Sequence, residues 1–448
     1  MTKLKGGISL PRTAQYSDRT KIIWKSHHGS TANASGIPIR FKAGVVSVRF
    51  LHVVPVEEAV RSARAIAPAM ATELVPIDLS SGRVLAGSIT AAADIPGFNR
   101  SIVDGFAVRS RNTIGSGDGE PAHLTCRGRI AMGPGGKHYH LRDGECVYIP
   151  TGGILPEQAD SVVMTEYAEE TAGIVLVKKA VSPGENILLF DEDFRKGEVI
   201  FAAGRRLTPQ DVGVLAACGY PHIPVAKRPV VGIISTGNEL VPVTSTPSLG
   251  QVRDANASML AAWLTEYGCI PVFFGIVKDE RGALEEAVAS ALPACDLLLI
   301  SGGSSKDERD ITAGVIAARG EVLIHGIALA PGKPTIIGRI GGKPVFGLPG
   351  HPASAFVVLI AIVRPLIDRV LGIEQPHLRI VKATLAENIP SVRGREEYVR
   401  VRLEQGTVVP VFGKSGLLNT LVKSDGIVCI PAGSEGFEKG REVEVILW

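Results

Sequence analysis

Three short apolar runs separated by two helical patterns constrain this chain more than any other stretch. Val230 to Ile234, Pro271 to Val277 and Leu297 to Ile300 are uncharged and largely aliphatic, as strands covered on both faces are. Between them, Ala257 to Tyr267 and Ala283 to Leu292 carry helical spacing. The order β-α-β-α-β predicts parallel strands, and right-handed crossovers then bring all three strand ends to one edge. Each run ends in a polar loop. The first opens into Ser235-Thr236-Gly237-Asn238-Glu239, the second into Lys278-Asp279-Glu280, and the third into Ser301-Gly302-Gly303-Ser304-Ser305, with Asp310 beyond.

Open sheets of this kind bind ligands beyond the carboxyl ends of their strands, and these loops suit an anion beside a metal ion. Gly237, Gly302 and Gly303 would let backbone N–H groups approach phosphate oxygens, and Ser235, Thr236, Ser304 and Ser305 add hydroxyls. Glu239, Asp279 and Asp310 supply the hard oxygens that Mg²⁺ prefers. The chain has neither a P-loop nor a dinucleotide-binding glycine fingerprint, which argues against an ATPase of that type and against a nicotinamide dehydrogenase. The bland alternative, that the glycines only turn and the acids only cap helices, suits any one loop better than three together.

The length of 448 residues implies several domains. A net charge of +3 makes no demand for nucleic acid, and six cysteines without C-x-x-C spacing indicate free thiols in a reducing cytoplasm. The apolar stretch from Ala353 to Val363 is too short to span a bilayer before Arg364-Pro365 interrupts it. Charge is unevenly spread. Residues 1–50 hold nine Lys/Arg and one Asp, leaving 39 basic and 44 acidic residues in the rest. That head has no periodicity and reads as a disordered extension, with a targeting or anion-binding arm as the alternative.

Organised structure is expected from Val54, with a scaffold helix over Glu57 to Ile66. Short strands alternating with glycine turns from Ala122 to Val177 predict an inserted β domain, and Asp104-Gly105 before it has the composition of a hairpin turn. The segment Ser182 to Pro224, with a helix over Pro209 to Ala217, is expected to pack back on the helix near residue 60. After the α/β unit, Gly347-Leu348-Pro349-Gly350-His351-Pro352 leads from a strand into a helix over Ala353 to Leu371 and is a fourth candidate anion cradle. Strand alternation returns beyond Gly372. The fold class is therefore α/β and multidomain: an extension at 1–50, a mixed scaffold domain at 51–94 and 180–226, an inserted β-rich domain at 95–179, a central parallel α/β sandwich domain at 227–372 and a C-terminal β domain at 373–448.

Taken together, Ser101-Ile102-Val103-Asp104-Gly105-Phe106-Ala107, Pro150-Thr151-Gly152-Gly153, Ser235-Thr236-Gly237-Asn238-Glu239-Leu240, Ser301-Gly302-Gly303 with Asp310, and Gly347-Leu348-Pro349-Gly350 with Pro352 and Ser354 resemble the molybdopterin molybdenumtransferase family, related to the E domain of gephyrin. The resemblance runs from about residue 52 to the C-terminus. It implies insertion of molybdate into adenylylated molybdopterin, Mg²⁺-assisted release of AMP, and a homodimer whose cleft lies between subunits. It also implies a molybdopterin adenylyltransferase and molybdoenzymes as possible partners.

Carried over by position, Asp104 and Thr151 of one subunit would face Glu239, Asp279 and Asp310 of the other. Those five would be catalytic, with Glu239, Asp279 and Asp310 on the metal. The Ser/Gly loops, Pro349, Gly350 and Ser354 would hold the cofactor precursor. Lys333, in Pro331-Gly332-Lys333-Pro334, is the cation expected for molybdate or phosphate.

Three positions and one segment depart from the family pattern. Ala330 replaces a lysine before Pro331-Gly332, Asp307 replaces a glycine, His351 stands where Asn or Tyr is usual, and Leu188 to Asp193 lacks the usual arginine-rich form. A tungstate-specific insertase, and a weakly catalytic paralogue that binds molybdopterin as a carrier or scaffold, are the alternatives. A pterin adenylyltransferase would not require the extra β domains.

Overall fold

The computed structural model of the chain describes residues 53–69, 71–133, 138–302, 306–374 and 378–448 and, for residues 306–310, the backbone alone. The basic extension at 1–50 and the loop residues Gly303, Ser304 and Ser305 lie outside the described residues, as do the side chains of Lys306, Asp307, Arg309 and Asp310. Helix α1 (Val56–Ala65) opens the described chain, and α2 (Pro209–Ala217) precedes the central unit. The central unit contains α3 (Ala255–Glu266), α4 (Arg281–Ala291), α5 (Lys306–Arg319), α6 (Pro352–Val358) and α7 (Arg364–Leu371).

Its six-stranded sheet runs in the order Ile270–Val277, Val230–Thr236, Leu297–Ser301, Lys343–Leu348, Ile336–Ile340, Glu321–His325. The first four strands are parallel, as the crossover argument requires. Successive buried side chains alternate between the two faces of the sheet. Leu297 and Leu299 pack with α1, α3 and α6 to α7 on one face, while Leu298 and Ile300 pack with α4 and α5 on the other. Covering both faces explains why the runs contain no polar alternation.

The sheet is not parallel throughout. Ile336–Ile340 runs against the other five and pairs antiparallel with both Glu321–His325 and Lys343–Leu348; it is joined to the latter by Gly341-Gly342 alone, at φ +56° and +83°. A two-residue loop can join only antiparallel neighbours, and positive φ at both positions suits glycine.

The expected helix over Ala353 to Leu371 forms, but Leu359–Val363 within it adopts π-helical geometry. Pro365 has no N–H to donate, and the Arg364 Nε group donates instead to the Ile360 carbonyl at 3.2 Å. No described helix is long and apolar enough to cross a membrane.

A second six-stranded sheet comprises Gly105–Val108, Ala122–Arg129, Glu145–Ile149, Ser161–Met164, Ala168–Thr171 and Ile174–Val177. Asp104-Gly105 is not a hairpin turn. Arg100–Ser101, before it, pairs with Ile187–Leu188, and Gly105–Val108, after it, pairs with Glu145–Ile149 and Ser161–Met164. In the third sheet, Glu396–Glu404 pairs with both Thr407–Pro410 and Gly426–Ile430, closing five strands into a barrel. Leu329–Ala330 adds to this barrel in parallel alongside Glu396 and Glu397, tying it to the central unit.

One packing expectation fails. The 182–224 segment does not pack on α1. The buried face of α1, with Val56, Ala59 and Ala63, lies in the central core with Leu366, Ile367 and Val370, whereas Leu215 of α2 joins Val75, Leu85, Ile89, Ile223 and Val225. The small side chains of α1 suit close approach to another helix, and their spacing carried no information about which helix that is.

Helix α2 is locally determined. Thr208 and Asp211 form a capping box, Pro209 occupies the first turn, and Arg205 forks onto both oxygens of Asp211 at 2.9 Å. Burial acts to raise the Asp211 carboxyl, but Arg205 and the Thr208 N–H outweigh it and hold the group below its ordinary value of 3.8. An Asp211→Ala variant should lose about 1–2 kcal/mol of stability in urea melts at neutral pH. A lowered folded pKa places the stabilisation above the unfolded value, so the deficit should shrink as pH falls well below 3.8. An unchanged deficit at acid pH would show that packing, not the ionised carboxylate, is responsible.

Candidate active site

The loops after three parallel strands meet at a cavity of about 450 Å³. Thr236 ends the first and Glu239 follows it, Ser301 ends the third and Gly302 follows it, and Gly350, His351 and Pro352 follow Lys343–Leu348. Leu240, Val252, Arg253 and the N-terminus of α3 complete the inner wall, and Gly416 and Leu418 approach from the C-terminal segment. The volume is that of a small-ligand site.

Asp279 binds two positions of the neighbouring loop. Its Oδ1 accepts from the Thr236 hydroxyl at 2.6 Å and its Oδ2 from the Asn238 N–H at 3.1 Å, while its own N–H donates to Asn238 Oδ1 at 3.3 Å. Glu239 curls back towards Gly237, where a Cβ would sit 2.9 Å from one carboxylate oxygen and 3.0 Å from the other. A side chain at Gly302 would meet the Thr236 methyl at 2.9 Å.

These glycines differ from the expectation that they present donors to a phosphate. The Gly237 N–H donates to the Val277 carbonyl and the Gly302 N–H to Leu348, because the parallel ladder continues one residue past each strand. Their contribution is small size, which lets the loops touch. The Ser301 hydroxyl accepts from Asn256 Nδ2 at 2.9 Å, leaving its own proton free to donate. Ser235 is buried, with an unpartnered hydroxyl among the described residues.

The remaining candidates divide. Gly350 lines the cavity and its carbonyl accepts from Asn256 Nδ2 at 2.9 Å. Pro349 precedes it, and Ser354 is buried on the first turn of α6, outside the lining. His351 lies at the rim, with Nδ1 2.9 Å from the Ser415 hydroxyl. Lys333 is exposed and does not line this cavity. It follows Gly332, whose φ of +136° and contacts with Val358 and Leu329 leave no room for a side chain. Ala330 and Pro331, just before, line a second cavity of about 270 Å³ with Glu397, Arg400 and Ser415.

Asp104 and Thr151 form a pair. Asp104 Oδ1 accepts from the Thr151 N–H at 2.7 Å and its hydroxyl at 3.0 Å. Both are exposed, and within one chain neither lines the central cavity. Among the described residues no three His, Cys, Asp or Glu side chains gather as a metal cage.

The sequence reading did not single out Arg253, Asp254 or Asn256, all on the cavity wall. Asp254 caps α3, its Oδ1 accepting from the Ala257 N–H at 3.1 Å. The signal was present in Asp254-Ala255-Asn256 just before the helical pattern, where an N-cap is expected.

Residues 54–219 match the MoeA N-terminal region (domain I and II), residues 232–369 a probable molybdopterin binding domain, and residues 382–448 the MoeA C-terminal region (domain IV). The chain is 34% identical over 404 residues to the molybdopterin molybdenumtransferase of Bacillus subtilis (strain 168), covering 88% of this chain and 94% of that protein. It is 31% identical over 400 residues to that of Staphylococcus aureus (strain COL), covering 88% and 95%. Among solved structures, a molybdopterin biosynthesis moeA protein from Pyrococcus horikoshii OT3 superposes with a TM-score of 0.78 at 32% identity, covering 88% of this chain and 100% of that one. The chain belongs to the molybdopterin molybdenumtransferase family.

Proposed function

We propose that this protein acts in molybdenum cofactor biosynthesis, inserting molybdate into adenylylated molybdopterin and releasing AMP. The observation that carries the reading is the cavity built from three strand-end loops, in the part of the chain that matches a probable molybdopterin binding domain. Arg253 lies on that wall, its Nε donating to the Val243 and Ser245 carbonyls at 3.1 and 3.0 Å, and Ser301 has a free hydroxyl proton suited to a phosphate oxygen.

Glu239 and Asp279 are the described residues that would hold Mg²⁺. Two carboxylates fit an ion that usually completes its shell with water and substrate phosphate rather than an all-protein cage. Asp279 keeps lone pairs beyond its two hydrogen bonds, and Asp310 follows on α5. The bound ion would neutralise charge on the adenylate as its phosphate bond breaks. Thr236, held by Asp279, fixes the loop that carries Glu239, and Glu239 orients the water that attacks the adenylate. Asp104 and Thr151 enter the same cleft from the β-rich domain of a second subunit in a homodimer, and Lys333 guides molybdate. The setting is cytoplasmic, with an adenylyltransferase upstream and molybdoenzymes downstream.

Purified protein given adenylylated molybdopterin, Mg²⁺ and molybdate should release AMP and yield metal-loaded cofactor; parallel reactions with tungstate rank the two oxyanions. Glu239→Gln should lower turnover about 100-fold or more. Tight pterin binding without AMP release would replace the insertase with a carrier. Gly237→Ala should reduce turnover, by displacing the Glu239 carboxylate and Leu240 from their places against the turn.

The shared cleft has its own test. In a mixture of Asp104→Ala and Glu239→Ala proteins, exchange of subunits should restore about a quarter of wild-type activity, because half the dimers would carry one intact site of two. No recovery despite demonstrated exchange would place both residues in the same subunit's site, and full activity of the Asp104→Ala protein by itself would place Asp104 outside it.

A further inference from the structure

Among the described residues, the wall of the central cavity carries four charged or titratable side chains, Glu239, Arg253, Asp254 and His351. They differ in how free they are to meet a ligand. Asp254 is buried, with one oxygen capping α3 and the other unpartnered, and Arg253 commits its Nε to the Val243 and Ser245 carbonyls. His351 is exposed at the rim.

The His351 ring is placed by the loop that approaches from the C-terminal segment. Its Nδ1 lies 2.9 Å from the Ser415 hydroxyl, and the Ala353 N–H donates to the Ser415 carbonyl at 3.1 Å. The opposite edge of the ring rests on Gly416, where a Cβ would sit 3.5 Å from Cδ2 and 3.7 Å from Nε2. Gly416 belongs to the cavity wall as well, so Nε2 lies beside the cavity mouth, and it has no hydrogen-bond partner among the described residues. A neutral ring that accepts from Ser415 at Nδ1 carries its proton on Nε2, and a protonated ring donates from both nitrogens. An anion in the cavity selects one of these two states.

The sheet sets the spacing of the groups that such an anion would meet. The loops that carry Glu239 and His351 leave strands on either side of Leu297–Ser301, two strand spacings or about 10 Å apart. Ser301, with its free hydroxyl proton, ends the strand between them. A pyrophosphate bridge laid across the middle strand would have Mg²⁺ with Glu239 at one end, Ser301 below it and His351 at the other end.

We propose that His351 donates from Nε2 to the pyrophosphate bridge of adenylylated molybdopterin, and that the contact tightens as the ring gains a proton. This rests on the molybdopterin reading above. The charged groups around the ring are Lys414 beside Ser415, Glu239, Arg253 and Asp254 on the cavity wall, and Glu397 and Arg400 in the smaller cavity that Ser415 also lines. Imidazole is the side chain of this set whose kind changes charge between about pH 5 and 8, so binding should strengthen as pH falls through that range.

The probe is ADP-ribose, which joins adenosine to a second phosphate ester through a pyrophosphate and lacks the second ionisation that a phosphate monoester shows near about pH 6. Titrated calorimetrically at fixed Mg²⁺, it should bind wild-type protein about tenfold more tightly at about pH 6 than at about pH 8. His351→Asn, which introduces a residue usual at this place in the family, and His351→Gln should each bind with one affinity across that range. Ser415→Ala releases the ring but leaves it to titrate, so binding should weaken with the pH response retained. The KM for AMP release should follow the same pattern, and it decides the matter if ADP-ribose itself does not bind. A pH response that persists in both His351 variants, or none in the wild type, would overturn the contact and leave the insertase reading in place where AMP release proceeds. Absence of AMP release at every pH would remove that reading and the contact with it.

Discussion

The register of four parallel strands is the constraint on which the rest of the molecule depends. Ser235 sits beside Ile276 on one side and Ser301 on the other, and Ser301 beside Leu348, so the chain leaves the sheet at the same height in four places. The ladder persists into the first loop residues through the Gly237 and Gly302 N–H groups. Loops that start level and close can bond to one another, which is how one carboxylate, Asp279, comes to hold both Thr236 and Asn238. The helices act indirectly. Filling both faces of the sheet with aliphatic side chains fixes the strands, and the strands fix the loops.

Features encoded locally could be read before any coordinates. The uncharged runs became the parallel strands, Pro209 to Ala217 became a helix capped by Thr208, and the strand alternation after Gly372 became a barrel. Features that depend on which surfaces meet could not. Nothing in Val56, Ala59 and Ala63 distinguishes a partner at 209–217 from one at 364–371, since small buried residues fit either helix. The one reversed strand of the central sheet was recorded in Gly341-Gly342, but reading it required knowing that the flanking runs were neighbours.

The site shows the same division at a finer scale. Its acids and hydroxyls were legible because chemistry needs those residue types at the ends of buried strands. Motif reasoning gave the glycines to the ligand and did not see that the geometry uses Gly237 and Gly302 to bring loops together. Asp254 and Asn256 escaped notice for a related reason. In sequence an aspartate before a helix is fully explained as a cap, and only burial reveals that one of its oxygens is left over.

The bonds from Asp279 to Thr236 and Asn238 also bear on how such a site can change over generations. Three side chains on two loops share one set of hydrogen bonds, so a replacement tolerated at one position depends on what occupies the others. Drift here is expected to proceed by linked substitutions, and lineages that alter one member first must cross a less fit intermediate. A laboratory library that varies these positions one at a time would therefore sample few of the working combinations, while one that randomises both loops together would reach them.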